Sequence, residues 1–145
     1  MWIRGRRTNR FLLPGSKRKR KSMVSEEQKK QAQFWLEYSQ QLSGAIRYIE
    51  ALAAVERALV LDDSSVAAWY AKGTYLAMAA RYDEALTAFE HALSLDEMYV
   101  PAWDGKAWAL GILGRKDEAL AAVNRALELN PEYFDALKRK KRLEL

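Results

Sequence analysis

The residues of this chain best suited to chemistry crowd into one stretch, RYDEALTAFEHALSLDE, at residues 81–97. Asp83 and Glu84 open it, Glu90 precedes the chain's one histidine, His91, and Asp96 and Glu97 close it. A histidine among carboxylates is the raw material of a metal centre or of a general acid–base pair. A metal centre needs several convergent donors, and the chain has no cysteine and no second histidine to supply them. The same lack removes a thiol nucleophile and any disulfide framework. No Ser/His/Asp set, phosphate-binding glycine loop or paired-carboxylate pocket is spelled elsewhere. The chain is therefore expected to be non-catalytic, with no catalytic residue, no metal and no cofactor.

The elements that carry these side chains explain them better than catalysis does. RYIEALAAVERALVLDD at 47–63, RYDEALTAFEHALSLDE at 81–97 and RKDEALAAVNRALELNP at 115–131 recur at a constant spacing of 34 residues. Trp35, Trp69 and Trp103 keep the same period, with Leu137 in the next equivalent place. Such a period implies stacked structural repeats. His91 aligns with Arg57 and Arg125, and Glu90 with Glu56 and Asn124, so these positions read as a solvated face that accepts large polar groups. Glu50, Glu84 and Glu118 recur near a helix start, where a carboxylate favours the positive end of the helix dipole.

Each unit reads as two helices. In the second unit helix A is expected from Val66 to Ala79 and helix B from Asp83 to Leu95. Ala85, Leu86, Phe89, Ala92 and Leu93 form an apolar stripe of helical period. Small residues recur at Ala51, Ala85 and Ala119, at Ala58, Ala92 and Ala126, and on helix A at Ser39, Gly73 and Ala107. They allow close approach of paired helices. Ser25 to Gln28 has the form of a capping box. Gly44 and Gly114 fall between helices, Pro101 suits a first helical turn, and Asn130-Pro131 ends the last helix B.

On these residues the chain resembles the tetratricopeptide repeat family, whose signature is W-x2-L-G-x2-Y, then A-x3-F, then P. The second unit supplies Trp69, Gly73, Ala85, Phe89 and Ala92; the third Trp103, Ala119, Val123, Ala126 and Pro131; the first Trp35, Ala51, Val55 and Ala58. Departures fall at the signature Leu (Tyr38, Lys72, Lys106), the Tyr (Leu42, Leu76, Leu110) and the terminal Pro (Asp63, Glu97). The resemblance implies an all-α, right-handed superhelix of stacked antiparallel helix pairs, with about seven helices. The domain is expected at 23–145, with repeats 32–65, 66–99 and 100–133 and a capping helix at 132–145.

In proteins of this family helix A lines a concave groove that holds extended peptides. Carried onto this chain, that face gives Gln33, Leu36, Gln40, Tyr70, Thr74, Asp104, Trp108, Lys138 and Arg142 as groove residues. Tyr70 and Trp108 are candidate anchors, since aromatic side chains offer large contact area with few rotors; Trp108 also admits a reading as a packing residue against the final helix. Family members that grip the acidic C-termini of heat-shock chaperones use a Lys, Asn and Arg clamp. Here the matching places hold Leu36, Gln40, Ala71, Pro101 and Gly105, none of them cationic. The expected function is a protein–protein interaction scaffold for a peptide or helix of a partner protein.

The net charge of +5 is unevenly placed. Residues 1–22 hold nine Lys/Arg and no acid, whereas the remainder carries a net charge of −4. The run Lys17, Arg18, Lys19, Arg20 and Lys21 admits three readings: a disordered arm for nucleic acid or an anionic surface, a localisation address of the basic nuclear type, or a segment outside the functional protein, with Met23 as the real start of translation. The C-terminal run Lys138 to Arg142 is read as favouring a helix dipole and a polar end face. Alternatives to the peptide groove are thus nucleic-acid association through the arm and self-association of the stack. No run approaches the roughly 18 apolar residues that a transmembrane helix requires, and a cytoplasmic location is expected.

Overall fold

The computed structural model describes residues 23–44 and 46–145, which form seven helices. These are α1 (Glu26–Gly44), α2 (Tyr48–Leu61), α3 (Val66–Met78), α4 (Tyr82–Leu95), α5 (Val100–Ile112), α6 (Lys116–Leu129) and α7 (Phe134–Leu143). Helices α1 and α2, α3 and α4, and α5 and α6 pair as hairpins, and each pair packs on the next. The helices in the A position, α1, α3, α5 and α7, also touch in succession along one side. The basic segment 17–21 lies outside the described residues.

Local chemistry sets the boundaries. Ser25 and Gln28 satisfy each other's backbone N–H groups at 3.0 and 3.1 Å, a complete capping box for α1. Ser65 Oγ accepts from the Ala68 N–H at 3.2 Å and caps α3. Pro101 stands in the first turn of α5, where its missing N–H is harmless. Helices α4 and α6 open on Arg81 and Arg115, whose guanidinium groups fork onto Glu84 and Glu118 three residues on, at 2.6–2.8 Å. Arg47 and Glu50 repeat the pair at the start of α2. The recurrent glutamates therefore serve a specific arginine as well as the dipole, and that arginine holds the Glu84 and Glu118 carboxyls below their usual range.

The A-to-B turns depend on one left-handed residue each: Ile46 (φ 61°), Ala80 (φ 60°) and Gly114 (φ 78°). The N–H three residues beyond the helix end then reaches back into the last turn, as in Arg81 to Leu76 at 2.8 Å and Arg115 to Leu110 at 2.9 Å. Gly44 is not the turn residue in the first unit, because its register partners are Met78 and Ile112, which are helical. Ile46 occupies the strained position instead, in the place that Gly114 fills without steric cost.

At the centre of the stack sits Phe89 of α4, wholly buried. Its ring faces Gly73 of α3 and Gly105 of α5. A Cβ at either glycine would fall 2.6 or 2.5 Å from the ring's Cε1, inside contact distance. The other units balance volume differently. Val55 takes the place of Phe89 where Ser39 and Ala71 replace the glycines, and Val123 takes it where Ala107 replaces Gly73. Ring size and missing Cβ atoms are thus matched within each layer, as close-packed interiors require.

That match is testable. Gly105→Ala should destabilise the protein by about 1–3 kcal/mol through overpacking. In a Phe89→Val background, which recreates the Val55 and Ala71 arrangement, the same change should cost clearly less. Urea unfolding of the four variants measures the coupling, and additive costs would refute the size match.

Candidate functional site

The A helices line one continuous face, and two clefts open on it. The first, of about 270 Å³, is lined by Gln40 and Ser43 of α1, Ala67, Tyr70, Ala71, Thr74 and Tyr75 of α3, and Tyr99 at the start of α5. The second, of about 230 Å³, lies between α5 and α7, with Trp108 and Ile112 on one side and Arg139, Arg142 and Leu143 on the other.

Tyr70 is fixed from beneath. Its ring lies 5.9 Å from Phe89 and 5.7 Å from Tyr99, the latter edge-on at 69°. Thr74 Oγ1 donates to the Tyr70 carbonyl at 3.0 Å. Burial raises the Tyr70 hydroxyl pKa, Thr74 opposes it, and Tyr99, Asp104 and Asp135 add to it. Tyr133 is pushed up to about 12 by burial first, then by Tyr70, Asp104, Asp135 and Tyr99. Three phenols and two carboxylates therefore share this side of the groove, and the phenols stay neutral hydrogen-bond donors at physiological pH.

The nine groove residues expected from the sequence divide by environment. Gln40, Tyr70 and Thr74 come together in the first cleft, and Trp108 and Arg142 in the second. Gln33 is exposed and donates to Glu37 at 2.8 Å. Lys138 is exposed and stands over the Phe134 ring at 5.2 Å. Leu36 is buried in the core cluster and offers a partner little surface. Asp104 is also buried and accepts a forked pair of hydrogen bonds from Arg139 at 2.7 and 2.9 Å.

Arg139 gives the C-terminal basic run a role beyond dipole and solubility. It turns inward, pairs with Asp104, and lies 5.9 Å from the Trp108 ring centroid. Trp108 is thus partly covered by α7 and still lines a cleft. Sequence reasoning missed Arg139, although it follows Ala71 and Gly105 at the 34-residue spacing. It also missed Tyr99 and Tyr133, which share the register of Ser65 just ahead of each A helix.

His91 has a structural partner. Its ring lies 3.8 Å from that of Trp69, tilted by 35°, and Arg57 lies 4.5 Å over Trp35 in the equivalent place. The position favours a flat or cationic group because it covers a tryptophan face. Among the described residues no group of three or more His, Asp or Glu side chains converges as a metal site, and no helix is long and apolar enough to cross a membrane.

Comparison with known proteins follows this geometry. A sequence model of the tetratricopeptide repeat matches residues 66–99 and 100–133. The fold is similar to the tetratricopeptide domain of Arabidopsis OM64, with a TM-score of 0.78 and 20% identity over 80% of this chain and 96% of that one. It is similar to the first such domain of Spaghetti (RPAP3) bound to the HSP90 peptide SRMEEVD, with a TM-score of 0.78 and 19% identity over 80% and 92% of the two chains. The second domain of human RPAP3, in complex with the HSP70 peptide SGPTIEEVD, gives 0.75 and 18% over 82% and 97%. At these identities the likeness concerns the fold. No curated protein matches the chain in sequence.

The Asp104–Arg139 pair predicts its own energetics. Removing one partner leaves a buried charge unpaired, so Arg139→Ala should destabilise the protein by about 3 kcal/mol. The Asp104→Ala, Arg139→Ala double variant should lose less than the two single losses combined. Denaturant unfolding measures both, and a negligible cost for Arg139→Ala would contradict the assigned docking role.

Proposed function

Since residues 66–133 belong to the tetratricopeptide repeat family, we propose that this chain is a non-catalytic interaction module that holds an extended peptide of a partner protein along its A-helix groove. The observation that carries the reading is the first cleft, where Tyr70, held by Phe89 and Tyr99, opens beside Gln40, Ser43 and Thr74. A rigid aromatic beside hydroxyl and amide groups takes an apolar side chain and satisfies the peptide backbone around it.

The charges along the groove narrow the partner. The α1 to α5 portion offers no free cation at the places where chaperone-binding relatives clamp a terminal carboxylate, and Arg139 is already neutralised by Asp104. Among the groove residues, exposed positive charge is carried by Lys138 and Arg142 of α7. The fitting peptide places an apolar residue against Tyr70 and an acidic one toward α7. The two domains that resemble this chain and carry chaperone peptides support groove binding, whereas the peptide chemistry here differs from a carboxylate clamp.

Selection of peptides from a random display library by the intact protein tests the proposal. Selected peptides should lose at least about tenfold in affinity to Tyr70→Ala and again to Trp108→Ala. The variants' helical circular dichroism should match that of the parent. Peptides that bind the double variant as tightly as the parent would move the site elsewhere.

A further inference from the structure

The cleft between α5 and α7 holds an arginine whose donors are only half used. Arg139 gives Nε–H and an Nη2 hydrogen to the two Asp104 oxygens at 2.7 and 2.9 Å, which engages one edge of the planar guanidinium. Nη1, on the other edge, makes no hydrogen bond among the described residues. Nor is any side-chain nitrogen there buried without a partner, so Nη1 reaches solvent, and Arg139 lines the cleft. The pair with Asp104 holds the guanidinium still, since the two side chains are 19% and 9% exposed. Arg142 lines the same wall, with Trp108, Ile112 and Leu143 as apolar surface. Neither arginine is hydrogen-bonded to Asp135 or Glu144, the acids of α7 itself. The 34-residue register puts Ala71 and Gly105 in the place of Arg139, and Gln40, Thr74 and Trp108 in the place of Arg142. Only this end of the groove carries guanidinium groups at those positions.

We propose that Arg139 bridges two carboxylates: Asp104 beneath it and, in the complex, a carboxylate of the bound peptide seated in this cleft. The peptide's apolar side chain beside that carboxylate lies against Trp108 and Leu143. This rests on the groove reading above and adds to it the residue that selects the acid.

Shape and charge both point to a carboxylate. The free guanidinium edge offers two parallel N–H groups, which match two carboxylate oxygens; an amide meets them with one oxygen and a repelling NH2. Arg139 and Asp104 together are neutral, so Arg142 leaves the cleft one net positive charge, and Lys138 stands aside over the Phe134 ring. One positive charge suits a monoanion, whereas a phosphate brings a further negative charge toward Asp104. The chain's own segment 1–22 has nine Lys/Arg and no acid, the wrong charge for this cleft.

Two-dimensional NMR of the intact protein, titrated with acetyl-Glu-Leu-amide and acetyl-Gln-Leu-amide, tests this. The Glu probe should shift the Trp108 indole N–H and the Arg139 Nε–H and bind at least about tenfold more tightly than the Gln probe. Acetyl-Gln-Leu with a free terminus separates a terminal carboxylate from a side-chain one, and either source meets the proposal. Arg139→Lys keeps the charge but has no second edge, and it should erase the preference for acid over amide, as should Arg142→Gln. Arg142 is exposed, so Arg142→Gln keeps its helical circular dichroism and decides the matter even where Arg139→Lys unfolds. Equal binding of acid and amide probes, no shift in either resonance, tighter binding of inorganic phosphate than of the acid probes, or a preference that survives Arg139→Lys would overturn the proposal. If selected peptides still depend on Tyr70 in that event, the carboxylate site falls and the groove reading stands.

Discussion

The contact on which the rest depends is the wedge of Phe89 between two glycines. A phenyl ring in the helix B of a central unit must have somewhere to go, and Gly73 and Gly105 give it room by lacking Cβ atoms. Helices α3 and α5 are thereby held to one distance and one inclination across α4. The same ring supports Tyr70 from beneath, and Tyr70 meets Tyr99 at the groove surface. Core packing and groove shape are consequently one problem. A change in ring volume at Phe89 is felt at the floor of the first cleft without any contact with a ligand.

The two ends of the stack are finished by different physics. At the C-terminal end α7 packs on α6 but has no helix B of its own among the described residues. Lys141 stands where Ser39, Gly73 and Ala107 face their own helix B, so the surface is polar where a partner helix would need it small. What keeps α7 in place is the buried Asp104–Arg139 fork together with Ala136 against α6. At the N-terminal end Phe34 and Tyr38 of α1 are exposed.

Much of the fold was legible in the sequence because the 34-residue period repeats every feature that matters three times. The reassignment of His91 from chemistry to scaffold needed only Arg57 and Arg125 as register partners. The structure adds the reason, since both His91 and Arg57 cover a tryptophan. The groove was less legible. Leu36 lies on the expected face yet is buried, because α1 packs more deeply against α2 and α3 than the helical period reveals. Tyr99 and Tyr133 precede their helices, so a search confined to helix A passes over them. Arg139 lay hidden inside a run of five cations, and only its distance to Asp104 separates it from its neighbours. The turn residue Ile46 was masked by a glycine two places earlier that the helix absorbs. Tertiary context decides such cases, and periodicity alone is silent on them.

The measurement that bears most directly on this account is native-state amide hydrogen exchange resolved by helix. A stack held at its centre by Phe89 should show its slowest exchange in α4 and in the facing turns of α3 and α5, with α1 and α7 opening first. Uniform protection across all seven helices, or slowest exchange in α1 or α7, would contradict the claim that the central wedge holds the groove in shape.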